Sequence, residues 1–301
     1  MKISLGPLQY FWKKSDVMTS YHAAASWPVD MFYLGETVCS KRREMRLNDW
    51  LEIAEMLSAQ GREVILSTLS LIEADSELSA LQRLVDNNKF GVEANDLSAV
   101  QLCRESEIPF VAGPTLNIYN HETLALLQRS GLTRFVLGTD QGAQHVEAMQ
   151  RQAQLAGNPF PELEVQVWGR LPLAYSARCF TARARDLPKD DCGLCCLEYP
   201  EGIQVQTRDG QAFLTINGIQ VQSAQCCDLG PELVELAELG ANVLRIMPQR
   251  LGTEDVVQRF AKAVAQQQPI TRFGDCNGYW HGEAGMAKIQ TPEVLMRNFG
   301  A

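Results

Sequence analysis

Residues 63–112 read EVILSTLSLIEADSELSALQRLVDNNKFGVEANDLSAVQLCRESEIPFVA. Short apolar runs at 63–66, 91–94 and 110–112 alternate with helical patterns at 76–86 and 97–105. Strands separated by helices make parallel sheets joined by right-handed crossovers. The same rhythm extends outward on both sides. Toward the N-terminus it predicts a strand at 2–5, a helix at 15–25 with Ser15 as N-cap, and a strand at 31–34. A helix at 48–60 follows, with Leu51, Ile53, Ala54 and Leu57 on one face and Gly61 closing it. Toward the C-terminus it predicts a helix at 121–130 stopped by Gly131, a strand at 134–137, a helix at 144–156 and a strand at 163–168.

The rhythm breaks over residues 169–230. Within that stretch, residues 212–216 and 219–222 flank Asn217-Gly218, a two-residue hairpin turn signal. A helix at 231–239, a strand at 243–247 and a helix at 254–267 complete the pattern, and FGDCNGYWHGEAGM (273–286) reads as loop. The expectation is a single α/β domain over 1–301, a (β/α)8 TIM-like barrel with a cysteine-rich insertion at 169–230 after strand seven. A doubly wound open sheet is the runner-up. No GxGxxG follows the first strand and no GxxxxGK[ST] occurs, so dinucleotide and P-loop sites have no support.

The chain has 301 residues, 46% hydrophobic and 21% charged, which is ordinary for a globular protein. Its net charge of -9 argues against non-specific binding to nucleic acid or to anionic lipid. No apolar window approaches the ~18 residues of a transmembrane helix. MKISLGPLQYFWKK lacks the long apolar core of a signal peptide. A cytoplasmic location is expected, where thiols stay reduced.

Nine cysteines in that setting point to metal or cluster ligation rather than to disulfides. Four of them crowd LPLAYSARCFTARARDLPKDDCGLCC (171–196): Cys179, Cys192, Cys195 and Cys196. Cys39 follows the second strand, and the insertion follows the seventh. Both leave the C-terminal face of the barrel, where active sites of this architecture lie. Cys39, Cys179, Cys192 and one of Cys195 or Cys196 would supply the four thiolates of a [4Fe–4S] cluster. Arg42, Arg43, Arg178 and Arg183 beside them would offset its negative charge. The competing readings are a structural zinc on the Cys192–Cys195 CxxC knuckle and a redox dithiol. Other residues expected on that face are Glu36, Thr68, Glu93, Asn95, Asn117, Asp140, Arg170 and Arg245. Cys103 reads as a core residue and Cys276 as loop packing. Of the Cys226-Cys227 pair, one reads as buried and the other as incidental. His22, His121, His145 and His281 are scattered and read as surface or capping groups.

The passage LEVQVWGRLPLAYSARC resembles the signature of the U32 "peptidase" family, E-x-F-x-x-G-S-[LIVM]-C-x4-G-x-C. Glu164, Gly169, Leu171 and Cys179 fall on it; Gln166, Arg170, Pro172 and Ala177 depart from it. Pro172 removes one family cysteine, so the ligand set differs from that of most relatives. SLGP, YLGETVCSKRR, LPLAYSARCFTAR, the C-x12-C-x3-C spacing and DCNGYW resemble a branch of this family serving O2-independent hydroxylation in ubiquinone biosynthesis. That resemblance covers nearly the whole chain. It implies a heterodimer with a second U32-type subunit, a ubiquinone precursor as the substrate of the complex, and a [4Fe–4S] cluster on Cys39, Cys179, Cys192 and Cys196, with Cys195 a bystander. It leaves open a non-catalytic partner with a structural cluster or zinc site. The family name implies proteolysis, yet neither HExxH nor GxSxG is present.

Overall fold

The computed structural model describes residues 1–270 and 276–290. Its strands are β1 (Lys2–Leu5), β2 (Met31–Leu34), β3 (Glu63–Ser67), β4 (Gly91–Ala94), β5 (Phe110–Ala112), β6 (Leu132–Val136), β7 (Glu162–Tyr175), β8 (Ile203–Gln206), β9 (Ala212–Asn217), β10 (Gln220–Asp228) and β11 (Ala241–Ile246). Strands β1 to β7 pair in order, and β11 pairs with both β1 and β7, closing a parallel (β/α)8 TIM-like barrel. The helices are α1 (Lys14–Ala24), α2 (Leu47–Ala59), α3 (Asp75–Val85), α4 (Leu97–Glu105), α5 (His121–Gln128), α6 (Ala143–Leu155), α7 (Phe180–Ala184), α8 (Leu233–Glu238) and α9 (Thr253–Gln266).

Successive side chains of a strand face opposite sides, and here both sides are buried. Ile3, Phe32, Leu66, Val92, Phe135, Val165 and Leu244 join the main core between barrel and helices. Met31, Tyr33, Ile65, Val111, Val136 and Val243 form a second, smaller cluster. The alternation places that cluster inside the barrel. Helix α2 buries Trp50, Ile53, Ala54 and Leu57, spaced i, i+3, i+4 and i+7. Several helices start on a side-chain cap: Asp96 accepts from Ser98 N at 2.8 Å, and Asn120 accepts from Thr123 N at 2.9 Å. Ser15 is not such a cap. Helix α1 starts one residue earlier, and Glu44 Oε2 accepts the Lys14 N–H at 3.1 Å instead.

Strand β7 differs most from expectation. It does not stop at Trp168 but runs to Tyr175. Its first half pairs parallel with β6 and β11. Its second half leaves the barrel and pairs antiparallel with β10, with register shifts around Gln222 where Pro172 lies opposite. Proline gives no N–H to a ladder and is tolerated at such irregularities. Gly169, at φ 115°, turns the strand where a Cβ would sit 2.7 Å from Met247 Cβ. The Asn217-Gly218 turn joins β9 to β10, and β8 adds a further antiparallel strand that the sequence pattern does not announce.

Candidate functional site

The loop after β2 begins with a turn built by Glu36. Its Oε1 accepts the backbone N–H groups of Val38 at 2.8 Å and Cys39 at 3.0 Å. Arg42 then turns inward, its side chain almost fully buried, and donates to Gln9 O and to Asn217 Oδ1, each at 2.7 Å. Its guanidinium lies over the Phe11 ring at 5.6 Å. One side chain thus ties the Cys39 loop to the N-terminal segment and to the β9–β10 turn.

Beyond β7 the chain reaches Cys179, which caps α7: its Sγ accepts the Ala182 N–H at 3.4 Å. Gly218 N donates to Thr181 Oγ1 at 2.9 Å, fixing α7 on the same turn that holds Arg42. The segment from Cys192 to Cys196 follows, with Leu194 and Gly193 in left-handed conformations.

Three of the four expected ligands lie within reach of one another's charge. Burial pushes the Cys39 thiol up, and Glu36 and Cys179 add to the rise. A backbone N–H from Lys41 and the Arg42 charge oppose it. Burial pushes Cys196 up to about 11, with Cys39 and Cys179 adding and Arg42 opposing. Cys192 acts on Cys195 and on Lys41. Cys195 is buried and is raised by burial, Cys192 and Cys179. Among the described residues, no three His, Cys, Asp or Glu side chains form a group that could hold a single metal ion.

Of the arginines expected beside the thiols, only Arg42 turns inward; Arg43, Arg178 and Arg183 are exposed. Lys41 stands in their place. It donates to Lys189 O at 2.9 Å and to Asp190 at 2.8 Å. Cys103, Cys227 and Cys276 are buried. Cys276 bridges Cys227 in register, a link between β10 and the C-terminal segment. Phe273–Asp275 of the expected loop lie outside the described residues, and Gly278–His281 form a short 3-10 turn.

Glu93 and Arg245, expected at the mouth, point into the barrel instead, with side chains 0% and 2% exposed. There Arg245 bonds Glu93 and Glu164; Ser4 Oγ donates to Glu164 at 2.6 Å, and the Tyr33 hydroxyl donates to it as well. Thr68 and Asn95 are buried and bonded to each other, Asn95 N to Thr68 Oγ1 at 2.9 Å. Arg170 donates to Glu201 O at 2.8 Å.

The mouth itself holds a cleft of about 460 Å³ between the loops after β3, β5 and β6 and the outer half of β7. Asn117, Tyr119, Asp140, Pro172 and Tyr175 line it. The Tyr119 hydroxyl donates to both carboxylate oxygens of Asp140, at 2.9 and 3.0 Å. Burial and this carboxylate push Tyr119 up to about 12. Asn117 and Tyr119 of LNIYN are legible as mouth residues from their place after β5, whereas Tyr175 is a contribution that position in sequence alone does not single out.

The peptidase family U32 profile matches residues 16–267. The tRNA hydroxylation protein P of Escherichia coli (strain K12) is 24% identical over 207 residues, spanning 64% of this chain. The match covers only 44% of that protein's own length. Among solved structures, a U32 peptidase is 12% identical with a TM-score of 0.47, covering 83% of this chain and 94% of its own. The 7,8-dihydropteroate synthase from Vibrio fischeri is 12% identical with a TM-score of 0.42, covering 89% and 95%.

Proposed function

As this chain belongs to peptidase family U32, we propose that it is the iron–sulfur subunit, corresponding to UbiV, of a heterodimer with a UbiU-like U32 subunit. The pair is required for O2-independent hydroxylation of a ubiquinone precursor. The similarity to a protein named for tRNA hydroxylation supports a hydroxylation-related role.

The observation that carries this reading is that Arg42 and Cys179 each bear on both Cys39 and Cys196. The donor chemistry fits a [4Fe–4S] cluster on these three and Cys192. Four soft thiolates are available, a cube takes them at separate corners, and they need not converge on one atom. A zinc ion instead asks four donors to meet at ~2.3 Å from one centre. The buried Nε–H of Arg42 has no hydrogen-bond partner among the described residues, and an anionic cluster beside Cys196 would supply one. A [4Fe–4S] cluster bound there supplies one-electron chemistry. The cysteines hold it, Arg42 and Lys41 offset its charge, and the Ala182 N–H stabilises the Cys179 sulfur.

Four cysteine ligands leave no open position for substrate, which also favours a second reading: a partner whose cluster is structural. No step of peptide hydrolysis is assigned to this chain.

The test is anaerobic co-purification with iron and sulfide counted on what comes down. A U32-type partner and a broad band near ~400 nm are expected; a colourless, zinc-loaded protein would refute the cluster. Replacing Cys39, Cys179, Cys192 or Cys196 by Ala should each remove the cluster, while Cys195→Ala keeps it. The reverse behaviour of Cys195 and Cys196 would overturn the assignment. Hydroxylation of a ubiquinone precursor by the isolated chain would show that no second subunit is needed.

A further inference from the structure

A second cleft, of about 440 Å³, opens between the loops after β2 and β3 and the facing sides of α2 and α3. Its volume falls in the range that holds small ligands (~300–1,000 Å³). Leu47, Trp50, Ile72, Leu81 and Leu84 form its apolar walls. Arg43, Arg46 and Arg83 stand around it. The guanidinium of Arg43 makes one long bond, Nε to Ser40 O at 3.4 Å. Those of Arg46 and Arg83 make no hydrogen bond or ion pair among the described residues.

Two carboxylates also line the cleft, and both are committed to backbone donors. Glu36 holds Val38 N and Cys39 N; Glu77 Oε2 holds Glu73 N at 2.6 Å and Ala74 N at 3.2 Å. Neither forms an ion pair with the three arginines. Ser67, at the C-terminal end of β3, is 1% exposed and lines the same cleft, and its Oγ has no hydrogen-bond partner among the described residues. A buried hydroxyl without a partner is rare, because burial strips it of the bonds it made to water and gives none back.

We propose that this cleft binds a small organic carboxylate with an apolar body. The planar guanidinium fork pairs with a carboxylate through two parallel bonds, so unpaired arginines at a cleft rim select anions. The aliphatic and indole walls demand an apolar remainder. Ser67, buried at depth, is a donor for a second acceptor at the far end of the ligand's body. The site lies on the working face of the barrel, and Glu36, Ser40 and Arg42, which line it, flank Cys39 in sequence. The proposal goes beyond the cluster assignment and does not depend on it.

The experiment is calorimetric titration of the full chain with 3-phenylpropionate, with 3-phenylpropanol as the neutral analogue and inorganic phosphate as the bare anion. One site is expected, with the alcohol binding at least about tenfold more weakly. Arg46→Gln and Arg83→Gln should each weaken the acid by about tenfold, the loss of one charge-assisted bond. Both residues are exposed, so the variants should fold. 3-(4-Hydroxyphenyl)propionate, which carries an acceptor at its far end, should bind a few-fold tighter than 3-phenylpropionate, Ser67→Ala should remove that gain, and Arg151→Gln, on the exposed side of α6, should leave binding unchanged. No binding of the acid, equal binding of the alcohol, or indifference to both arginine substitutions overturns the proposal. Phosphate binding as tight as the acid would make this an inorganic-anion site and overturn the ligand class.

Discussion

Arg245 on β11 crosses the inside of the barrel to Glu93 on β4, Nη1 to Oε1 at 2.7 Å, while its Nε holds Glu164 on β7 at 2.8 Å. The guanidinium also lies over the Tyr33 ring at 4.0 Å. Burial alone would draw the proton from Arg245; the two carboxylates more than offset it and keep the charge in place. Removing one partner of a buried pair leaves an uncompensated charge, at ~3–5 kcal/mol. Arg245→Met should therefore lose stability of about that size in urea unfolding. Adding Glu93→Gln to Arg245→Met should recover part of it, read as a coupling term in a double-mutant cycle. Additive losses would mean the two groups do not depend on each other.

Arg42 makes two bonds of 2.7 Å with one planar group. A lysine ammonium on a flexible stem cannot reproduce that fork. Arg42→Lys should cost about 1–3 kcal/mol, because the Gln9 carbonyl or the Asn217 amide loses its buried donor. Chemical unfolding of chelator-treated protein isolates this loss from any effect on the thiols. A wild-type midpoint would refute it.

The thiols should sort by burial. In chelator-treated protein at pH 8, brief alkylation read by mass spectrometry should label the half-buried Cys179 and Cys192 and spare Cys103, Cys227 and Cys276. Burial pushes Cys103 up to about 11 and Cys227 well above the ordinary thiol range. A raised thiol pKa means that the native state holds the proton more tightly than the unfolded chain. The stability from Cys103 is thus complete below about pH 9 and is lost as pH rises through about 11. Labelling of Cys103 in the native state at pH 8 would contradict this.

Gly142 begins α6 beneath the C-terminal turn. A Cβ there would lie 2.3 Å from Trp280 O and 2.4 Å from Tyr279 O. Gly142→Ala must push that backbone away and strain the 2.6 Å bond from Trp280 Nε1 to Glu235. A loss of about 1–3 kcal/mol is expected, with faster proteolysis beyond residue 276. Proteolysis at the wild-type rate would show that the turn adjusts without detaching.

The strands and helices were legible because each run carries its own period, and the barrel follows once eight units are read in order. What the sequence hid is what depends on distant partners. Gly169 and Pro172 look like strand breakers, yet β7 continues because β10 pairs with it from the other side. Glu93 and Arg245 are polar residues at strand ends, and only closure of the barrel shows that they face each other. Ser15 matches the N-cap pattern, but Glu44, 30 positions beyond Lys14, supplies the acceptor for the Lys14 N–H. The meeting of the Cys39 loop with the cysteine segment was legible from topology, since both leave the same face. The part of Asn217 was not: its turn signal is local, while its bond to Arg42 is tertiary.

That bond also bears on when the site can come into being. Cys39 and Cys179 belong to segments that no local turn brings together, and Arg42 meets Asn217 only once β7, β10 and the N-terminal segment are all in place. In a zinc finger, metal binding supplies the folding free energy of a short chain. Here the entropy of gathering the thiols is absorbed by closing the barrel itself. The Cys39 loop and the cysteine segment therefore meet only on a closed barrel.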